Sequence, residues 1–499
     1  MSATPASVAV RAEGSSRRRL AAYGPVALLA VVAVGARFAL IDHQSLWFDE
    51  IVSATLSKQP FGAMLHDIAR TESTPPTYYV LLWGWVRVFG RTAVALRSLS
   101  ACFGVLTVLA VYATARLRFS RRAAFIAGAA TAAQPMLIWY SQETRAYSLV
   151  TLFVASSLYF FFRARADDST FSLAAWAIAG SLAVSTHYFA AFVIYPEAAL
   201  LLLFHRHRIR RTLIATAVPL ATGIALLPLA IHQRNAGHTA FVSTLSLGSR
   251  VHQTVNEFVF GNYEISALHL LAGCVVLAAA AAFSIRRWAS GDERQDALVL
   301  CVLALAAFVL PLVFTPDAFF HRNLIVVLPP LMLLVGLAFA PRNGRRIAAI
   351  AGLIFAAALL GPTAVISKRP ALEREDWRDV AALVGPMNPS RAVLAYPRFE
   401  YIALSYYRPR LTPVDAGVLH VSEIVLVGRP KLLINDLPSG FRRVEDKRVG
   451  TLRIVRLRSR TVRDLDVASL HLRPVLRLLT PGGFTERTHG QDATLLVDR

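Results

Sequence analysis

Long apolar runs, separated by short loops rich in arginine, occupy the chain up to about residue 367. Most of these runs hold about 16–23 residues, which is the length that an α-helix needs to cross the hydrocarbon core of a membrane. The pattern predicts an all-α polytopic membrane domain of about eleven transmembrane helices over residues 20–367. We place the helices at 20–41, 93–115, 123–140, 146–162, 171–186, 189–204, 212–231, 267–285, 296–314, 323–340 and 346–366.

The apolar run at 76–90 is ambiguous, because about 15 residues are few for a span and Arg87 and Arg91 lie near its end. Loop charge decides its assignment, since cytoplasmic loops carry an excess of Lys and Arg. If 76–90 does not cross and the N-terminus is cytoplasmic, the inner loops hold more than twice as many basic residues as the outer loops. We therefore predict that 76–90 is a juxtamembrane or re-entrant helix in an outer loop at about 42–92.

Residues 1–19 form a basic tail that ends in Arg17-Arg18-Arg19, directly before the first apolar run. A signal peptide is the alternative interpretation, but the run is long and lacks a clear small-residue cleavage site. We therefore expect a retained first helix that follows a cytoplasmic tail.

From about residue 368 the pattern changes to short β-branched or alternating runs, for example at 393–396 and 423–427. Helical patterning between some of these runs, as at 376–384, predicts a small α/β domain over 368–499. An odd number of spans from a cytoplasmic start makes this domain extracytoplasmic. Weak periodicity predicts a loosely packed tail at 466–499.

Composition supports a membrane protein, because 55% of the residues are hydrophobic and only 17% are charged. The formal net charge of +22 is spread over the loops, and no nucleic-acid motif accompanies it, so we expect no nucleic-acid partner. Cys102, Cys274 and Cys301 lie inside apolar runs without metal-ligand spacing, which predicts neither disulfides nor a cysteine metal site. High arginine and alanine usage suits a GC-rich bacterium, so the predicted location is the bacterial cytoplasmic (inner) membrane.

Polar clusters recur where hydrophobic runs begin or end, and the predicted topology places them all on the outer side. Carboxylates near hydrocarbon are costly, so their presence there indicates a function. The clusters are Trp47-Phe48-Asp49-Glu50, Pro75-Pro76-Thr77-Tyr78-Tyr79, Arg97-Ser98, 140–148, Thr186-His187-Tyr188, Arg322-Asn323-Leu324 and Glu375-Asp376-Trp377-Arg378.

In order and spacing these clusters resemble the motifs of GT-C membrane glycosyltransferases. The branch they resemble is that of the protein O-mannosyltransferases and the lipid A aminoarabinose transferase (glycosyltransferase family 39-like), over most of residues 20–380. The resemblance implies a polyprenyl-phosphate-linked sugar donor, transfer of a hexose or pentose at the outer membrane face, and inversion at the anomeric carbon. The chain departs from the family in one respect. Thr74 stands where a basic residue often precedes the Pro-Pro pair.

Such a transfer needs a base for the acceptor hydroxyl and cations for the departing phosphate. We expect Asp49 to be the base, with Glu50 as the adjacent acid whose charge favours proton uptake by Asp49. The alternative role for Asp49 is the N-cap of a helix that starts near Glu50.

The remaining expected site residues bind substrate. We assign phosphate contacts to Arg145 and Arg322 at helix ends, where the alternative is snorkelling to lipid headgroups. The other members are Arg97, Glu143, His187 and Tyr188, each of which has a structural role as its alternative. Within the resemblance, Asp49 and Glu143 could share Mg²⁺ or Mn²⁺, since hard cations prefer carboxylate oxygens. The alternative for Glu143 is an ion pair with Arg145 or Arg97.

Two other function classes are alternatives to a glycosyltransferase. A transporter or flippase of a lipid-linked saccharide would place polar residues near the bilayer midplane, whereas these lie at one face. A non-catalytic cell-envelope scaffold would not require Asp49. The expected partners of the enzyme are the polyprenyl-phosphate sugar, membrane lipids and a glycan, lipid or protein acceptor.

Overall fold

The computed structural model describes most of the chain, including nearly all of the apolar runs. The described residues are 23–237, 242, 244–386, 388–396, 400–414, 417–428, 439–466 and 494–498. The predicted cytoplasmic tail at 1–19 lies outside them. The chain divides into two compact units, one of residues 1–41 and 59–363 and the other of residues 42–58 and 364–499.

We number the α-helices and β-strands in chain order. The helices are α1 (Tyr23–Phe38), α2 (Phe48–Lys58), α3 (Phe61–Thr71), α4 (Thr77–Phe89), α5 (Ala93–Arg118), α6 (Arg121–Ala133), α7 (Pro135–Ser141), α8 (Tyr147–Asp167), α9 (Thr170–Thr186), α10 (Ala191–Phe204), α11 (Ile209–Asn235), α12 (Leu247–Phe260), α13 (Ala267–Trp288), α14 (Gly291–Phe314), α15 (Leu328–Phe339), α16 (Arg346–Ala358), α17 (Leu360–Ile366), α18 (Trp377–Val384) and α19 (Tyr401–Tyr407). The strands are β1 (Arg391–Ala395), β2 (Leu411–Pro413), β3 (Val418–Gly428), β4 (Arg442–Val449), β5 (Leu452–Asp466) and β6 (Thr494–Asp498).

The first unit is the membrane domain. Among the described residues, 7 helices are long and apolar enough to cross a membrane, and α6 with α7, bent by 55°, provides an eighth candidate. Shorter apolar helices lie at Tyr23–Phe38, Thr170–Thr186 and Tyr188–Phe204. The mostly helical multi-pass fold is thus confirmed, whereas the count of eleven spans stays a prediction. Helix α4 has 13 residues, about 20 Å in length, which is short for a hydrocarbon core of about 30 Å.

Small residues let two helices of the membrane domain approach closely. A Cβ atom added to Gly336 of α15 would clash with the Ala123 carbonyl oxygen of α6. Helices in lipid gain little from hydrophobic burial against one another, so such close van der Waals packing is a main source of their association.

One buried acid joins the ends of three helices. Asp296 of α14 accepts hydrogen bonds from Arg118 Nε at 2.6 Å and from Arg165 Nη1 at 2.8 Å. These arginines lie at the ends of α5 and α8. Because Asp296 is fully buried, its charge requires both partners.

The second unit contains a six-stranded sheet in the order β2-β6-β1-β3-β5-β4. Strands β1 and β3 are parallel, and the other neighbours are antiparallel. This sheet and its short helices confirm the predicted small C-terminal α/β fold. Strand β6 (Thr494–Asp498) pairs with β1 and β2, so the segment expected to be a loose tail ends in the sheet, while residues 467–493 lie outside the described residues.

A buried carboxylate connects three neighbouring strands of the sheet. Glu423 of β3 accepts hydrogen bonds from Arg391 Nε of β1 and Arg456 Nη1 of β5, both at 2.7 Å, and from Arg458 Nε at 3.2 Å. Burial raises the pKa of Glu423, but the hydrogen bonds from Arg456 and Arg391 outweigh burial and lower this pKa to about 2.

We expect Glu423→Gln to destabilise the C-terminal sheet by about 3–5 kcal/mol at pH 7, because the substitution leaves buried guanidinium groups without their counter-charge. In the wild type, the stabilisation is complete above the ordinary pKa of 4.5 and is lost as the pH falls towards about 2. Hydrogen exchange of β1 and β3 in the full chain, corrected for intrinsic amide rates, measures both effects.

The control is Asp464→Asn, which breaks an ion pair with His420 whose side chains are 74% and 70% exposed. Such a surface pair contributes at most about 1 kcal/mol. Equal exchange rates for Glu423→Gln and Asp464→Asn would contradict the assignment of Glu423 as the central anchor.

Candidate active site

A proline break between α6 and α7 positions the first part of the site. Pro135 has no N–H group for the Thr131 carbonyl one turn earlier. Arg37 of α1 replaces it, since Nη2 donates to the Thr131 oxygen at 3.3 Å and Nη1 donates to the Ala132 oxygen at 3.1 Å. The Gln134 side chain then caps α7 by accepting from the Leu137 N–H at 2.7 Å.

The turn at 142–145 follows α7 and carries two of the predicted site residues. Gln142 Nε2 donates to the carbonyl oxygens of Ala36 and Arg37 at 3.3 and 3.2 Å, which fixes the turn to the end of α1. The Arg145 N–H donates to the Glu143 carbonyl oxygen at 2.8 Å. Glu143 and Arg145 are both buried, so the turn places a carboxylate and a guanidinium group in the interior of the unit.

Arg145 pairs with an acid from the first outer loop. Its Nη1 donates to Glu72 Oε1 at 2.9 Å, and the exposed fractions of the two side chains are 7% and 3%. The Arg145 guanidinium carbon also lies 6.0 Å from the Tyr79 ring centroid, at the outer limit for a cation–π contact. Arg145, which we predict to bind the phosphate, is therefore held in place by a buried ion pair.

His187 lies between α9 and the 3-10 turn Tyr188–Ala190. Its ring centroid is 5.9 Å from that of Tyr147, and its Nδ1 accepts from the Phe189 N–H at 3.3 Å. Burial, together with the positive charges of Arg145 and Arg322, lowers the pKa of His187 to about 3. The imidazole is therefore neutral at physiological pH, and two arginines from distant parts of the chain act on it.

A second group of charges surrounds the Tyr140 hydroxyl at the end of α7. Glu143, Glu257 and Arg322 all act on it electrostatically. Arg322 lies in the 3-10 helix His321–Val327, which packs with α8 and α12 in the same unit. The structure thus brings Glu143, Arg145, His187 and Arg322 together.

Tyr188 and Arg97 occupy positions with defined structural partners. The Tyr188 hydroxyl donates to Gln233 Oε1 at 2.8 Å, and Gln233 Nε2 donates to the Thr74 carbonyl oxygen at 3.1 Å. Arg97 is buried, and its Nη1 donates to the Ile41 carbonyl oxygen at 2.9 Å. Their predicted substrate contacts stay predictions.

Asp49 and Glu50 lie in the first turn of α2, in the unit that contains the C-terminal domain. The alternative role of Asp49 as the N-cap of a helix near Glu50 is wrong, because the helix begins at Phe48 and the Trp47 carbonyl accepts its first hydrogen bond, from the Ile51 N–H at 3.0 Å. Asp49 is half-buried and Glu50 is buried. Acidic side chains in a first turn are favoured by the helix dipole.

Sequence reasoning missed two acids of the membrane unit. Glu72 precedes the Pro75-Pro76 motif by three residues. Its position beside that motif is the feature of the sequence that could have indicated a role in the site. Glu257 lies in α12 and is mostly buried. Burial, together with the negative charge of Glu264, raises its pKa to about 7. The sequence gives little sign of the burial of Glu257, because a single acid in an amphipathic helix is expected to face solvent.

The described residues contain no group of three or more His, Cys, Asp and Glu side chains that could hold a metal ion. Carboxylate oxygens of the kind that Asp49 and Glu143 carry suit Mg²⁺ or Mn²⁺. That Asp49 and Glu143 share a divalent cation stays a prediction.

We expect Arg145→Gln to lower the free energy of unfolding by about 3–5 kcal/mol, because Glu72 would keep a buried charge without a partner. The double variant Glu72→Gln/Arg145→Gln should recover most of this loss. Thermal unfolding of the full chain in detergent measures both the loss and the recovery of stability. Arg163→Gln is the control, since its exposed pair with Asp167 contributes at most about 1 kcal/mol. Equal effects of Arg145→Gln and Arg163→Gln would contradict the buried pair.

Residues 73–232 match the model of the dolichyl-phosphate-mannose-protein mannosyltransferase family. This range contains Glu143, Arg145, His187 and Tyr188 but not Asp49 or Arg322. No curated protein matches the chain in sequence.

Solved structures match the chain over most of its length. The crystal structure of ArnT from Cupriavidus metallidurans bound to undecaprenyl phosphate has a TM-score of 0.54, with 14% identity over 87% of this chain and 98% of that chain. The same protein in the apo state gives a TM-score of 0.53 at 16% identity, with the same coverage of 87% and 98%. The Archaeoglobus fulgidus oligosaccharyltransferase, in complex with zinc and sulfate, gives 0.48 at 14% identity over 76% and 61%.

At these identities the two ArnT structures, which have TM-scores above 0.5, establish the fold alone. The family model agrees with that fold over residues 73–232. The chain is therefore a multi-pass membrane protein with the fold of the GT-C glycosyltransferases, and the resemblance found in its sequence motifs is confirmed.

Proposed function

We propose that the chain is a membrane glycosyltransferase that moves a sugar from a polyprenyl phosphate to an acceptor hydroxyl, with inversion at the anomeric carbon. The observation that carries the proposal is that the buried Arg145 and the half-buried Arg322 both act electrostatically on His187. The 3-10 helix that bears Arg322 packs with α8 and with the turn at Tyr188–Ala190, which directly follows His187. Two guanidinium groups at one place suit a phosphate, which each can bind through two parallel hydrogen bonds.

The fold adds support from a second direction, because the ArnT structure that shares it was solved with undecaprenyl phosphate bound. A departing polyprenyl phosphate gains negative charge in the transition state. Arginines fixed by buried partners, as Arg145 is by Glu72, stabilise that charge without having to reorganise.

Asp49 takes the proton of the acceptor hydroxyl in this proposal. The hydroxyl oxygen attacks the anomeric carbon on the face opposite the phosphate, the bond from that carbon to the phosphate oxygen breaks, and the phosphate leaves with the bonding electron pair. Asp49 is half-buried, so a substrate can reach it, whereas Glu50 is buried and acts as its neighbour. The acceptor is a glycan, a lipid or a protein, and the sugar is a hexose or a pentose.

The proposed orientation has a cytoplasmic N-terminus and an extracytoplasmic C-terminal domain in a bacterial inner membrane. Loop charge supports it, because the loops assigned to the cytoplasm carry the excess of arginine. Transfer would then occur at the outer face.

We expect Asp49→Asn to reduce transfer by about 10²–10⁴-fold, because Asn keeps the size of the side chain but cannot accept the proton. Membranes that contain equal amounts of wild-type or variant chain are offered a panel of radiolabelled polyprenyl-phosphate sugars. Asp379→Asn is the control, since Asp379 is an exposed acid in the first turn of α18. Full activity of Asp49→Asn would contradict the base assignment and direct the search to Glu50 or Glu143.

We expect Arg322→Gln to weaken binding of undecaprenyl phosphate by at least tenfold, which corresponds to a loss of about 1.5–3 kcal/mol for hydrogen bonds to a charged group. Binding is measured on the purified full chain with labelled lipid. The control is Arg234→Gln, because Arg234 is an exposed arginine paired with Asp317 at 3.6 Å. If both variants bind equally well, Arg322 does not hold the phosphate.

A further inference from the structure

The helix that carries Asp49 is anchored by residues more than 300 positions further along the chain. Residues 42–58 group with residues 364–499 rather than with the membrane helices that flank them. Helix α2 packs against α19 of the C-terminal domain. The C-terminal domain therefore supplies the scaffold for the predicted base.

One anchor is the hydroxyl group of Ser45, which is buried three residues before α2 begins. It accepts a hydrogen bond from the Trp377 N–H at 3.0 Å and donates one to the Glu375 carbonyl oxygen at 2.9 Å. Trp377 is fully buried at the start of α18. A hydroxyl used as both donor and acceptor fixes the segment more tightly than one bond would.

The second anchor is the hydroxyl group of Tyr407 at the end of α19. It accepts a hydrogen bond from the Leu46 N–H at 2.8 Å. Leu46 is buried, so its N–H requires a partner. The bond lies directly before Trp47, whose carbonyl starts the hydrogen bonding of α2. Tyr407 therefore holds the chain at the entry to the helix.

The neighbouring tyrosine acts at the other end of the same helix. The Lys58 ammonium group lies 4.7 Å from the Tyr406 ring centroid, which is cation–π distance. Glu50 acts electrostatically on Tyr406 as well. Two adjacent tyrosines of α19 thus contact the chain at the two ends of α2. Contacts at both ends fix the orientation of α2 on the C-terminal domain.

We propose that Ser45 and Tyr407 are positioning residues that set the orientation of Asp49 for proton transfer, and that the C-terminal domain acts in the reaction through them. This inference rests on the proposed function. Neither hydroxyl is a catalytic group, since each acts through the backbone of α2. A displacement of about 1 Å in a reacting group can cost about 10²-fold in rate, so a few hydrogen bonds at the helix entry are sufficient for a large effect.

The test uses Tyr407→Phe and Ser45→Ala in the full chain, with steady-state transfer and hydrogen exchange as separate readouts. We expect kcat to fall about 10–100-fold while the KM for the donor changes less than twofold, because the phosphate ligands are untouched. Exchange of the amides at 46–58 should rise at least tenfold, and exchange in β1 and β3 should stay unchanged. Tyr401→Phe is the matched control in the first turn of α19, where the described structure records no hydrogen bond of the tyrosine hydroxyl, and it should behave as wild type.

The two readouts separate the anchor from the proposed function. Unchanged exchange at 46–58 in Tyr407→Phe overturns the anchor, even if Asp49→Asn abolishes transfer. Raised exchange with an unchanged kcat overturns the positioning role. If the wild type transfers no sugar, the proposed function fails and the exchange readout alone decides whether Ser45 and Tyr407 hold α2. Exchange that rises equally in β1 and β3 means loss of the whole domain fold and also overturns the proposal.

Discussion

A charge removed from water must have a partner, and this requirement organises the protein more than any single hydrophobic contact. Arg37 satisfies the carbonyl groups that the proline break leaves open, and so fixes α1 to α6. Asp296 joins the ends of α5, α8 and α14. Glu423 connects three neighbouring strands of the sheet, and Glu72 holds Arg145. In each case a buried ion or its hydrogen bonds join elements that are distant in the chain.

The candidate site also contains a buried, paired charge, but there the proposed role of the charge is to bind a ligand rather than to join two elements. Arg145 is already paired with Glu72 and is therefore held in place before a ligand arrives. His187, which burial and the charges of Arg145 and Arg322 keep neutral, adds no further positive charge. Such a site presents fixed cations in a medium of low polarity, where their attraction for a phosphate is stronger than in water.

The parts that the sequence predicts well are those that depend on local periodicity. Apolar runs of spanning length predict most of the helices, and the β-branched run at 423–427 lies within β3. The candidate site residues Arg145, His187 and Arg322 are identifiable because charged or polar groups at the ends of apolar helices need a reason to be there.

Pairing between distant residues could not be predicted in the same way. Glu72 and Arg145 are 73 positions apart, and Ser45 and Trp377 are 332 apart. No periodicity links such positions, because their contact depends on how whole elements pack. For the same reason the first outer loop was expected to be one segment at 42–92, whereas the structure groups residues 42–58 with the C-terminal domain.

The position of β6 gives the protein a timing constraint during synthesis. Strand β6 lies between β1 and β2 in the sheet, so the ribosome must reach residue 498 before β2 gains its partner and β1 its second neighbour. The Asp49 helix emerges early but rests on this same domain. A nascent or truncated chain would therefore insert its membrane helices while the segment that bears Asp49 still lacks its support. The segment that bears Asp49 therefore gains its support only when the C-terminal sheet assembles, which happens after the membrane helices have inserted.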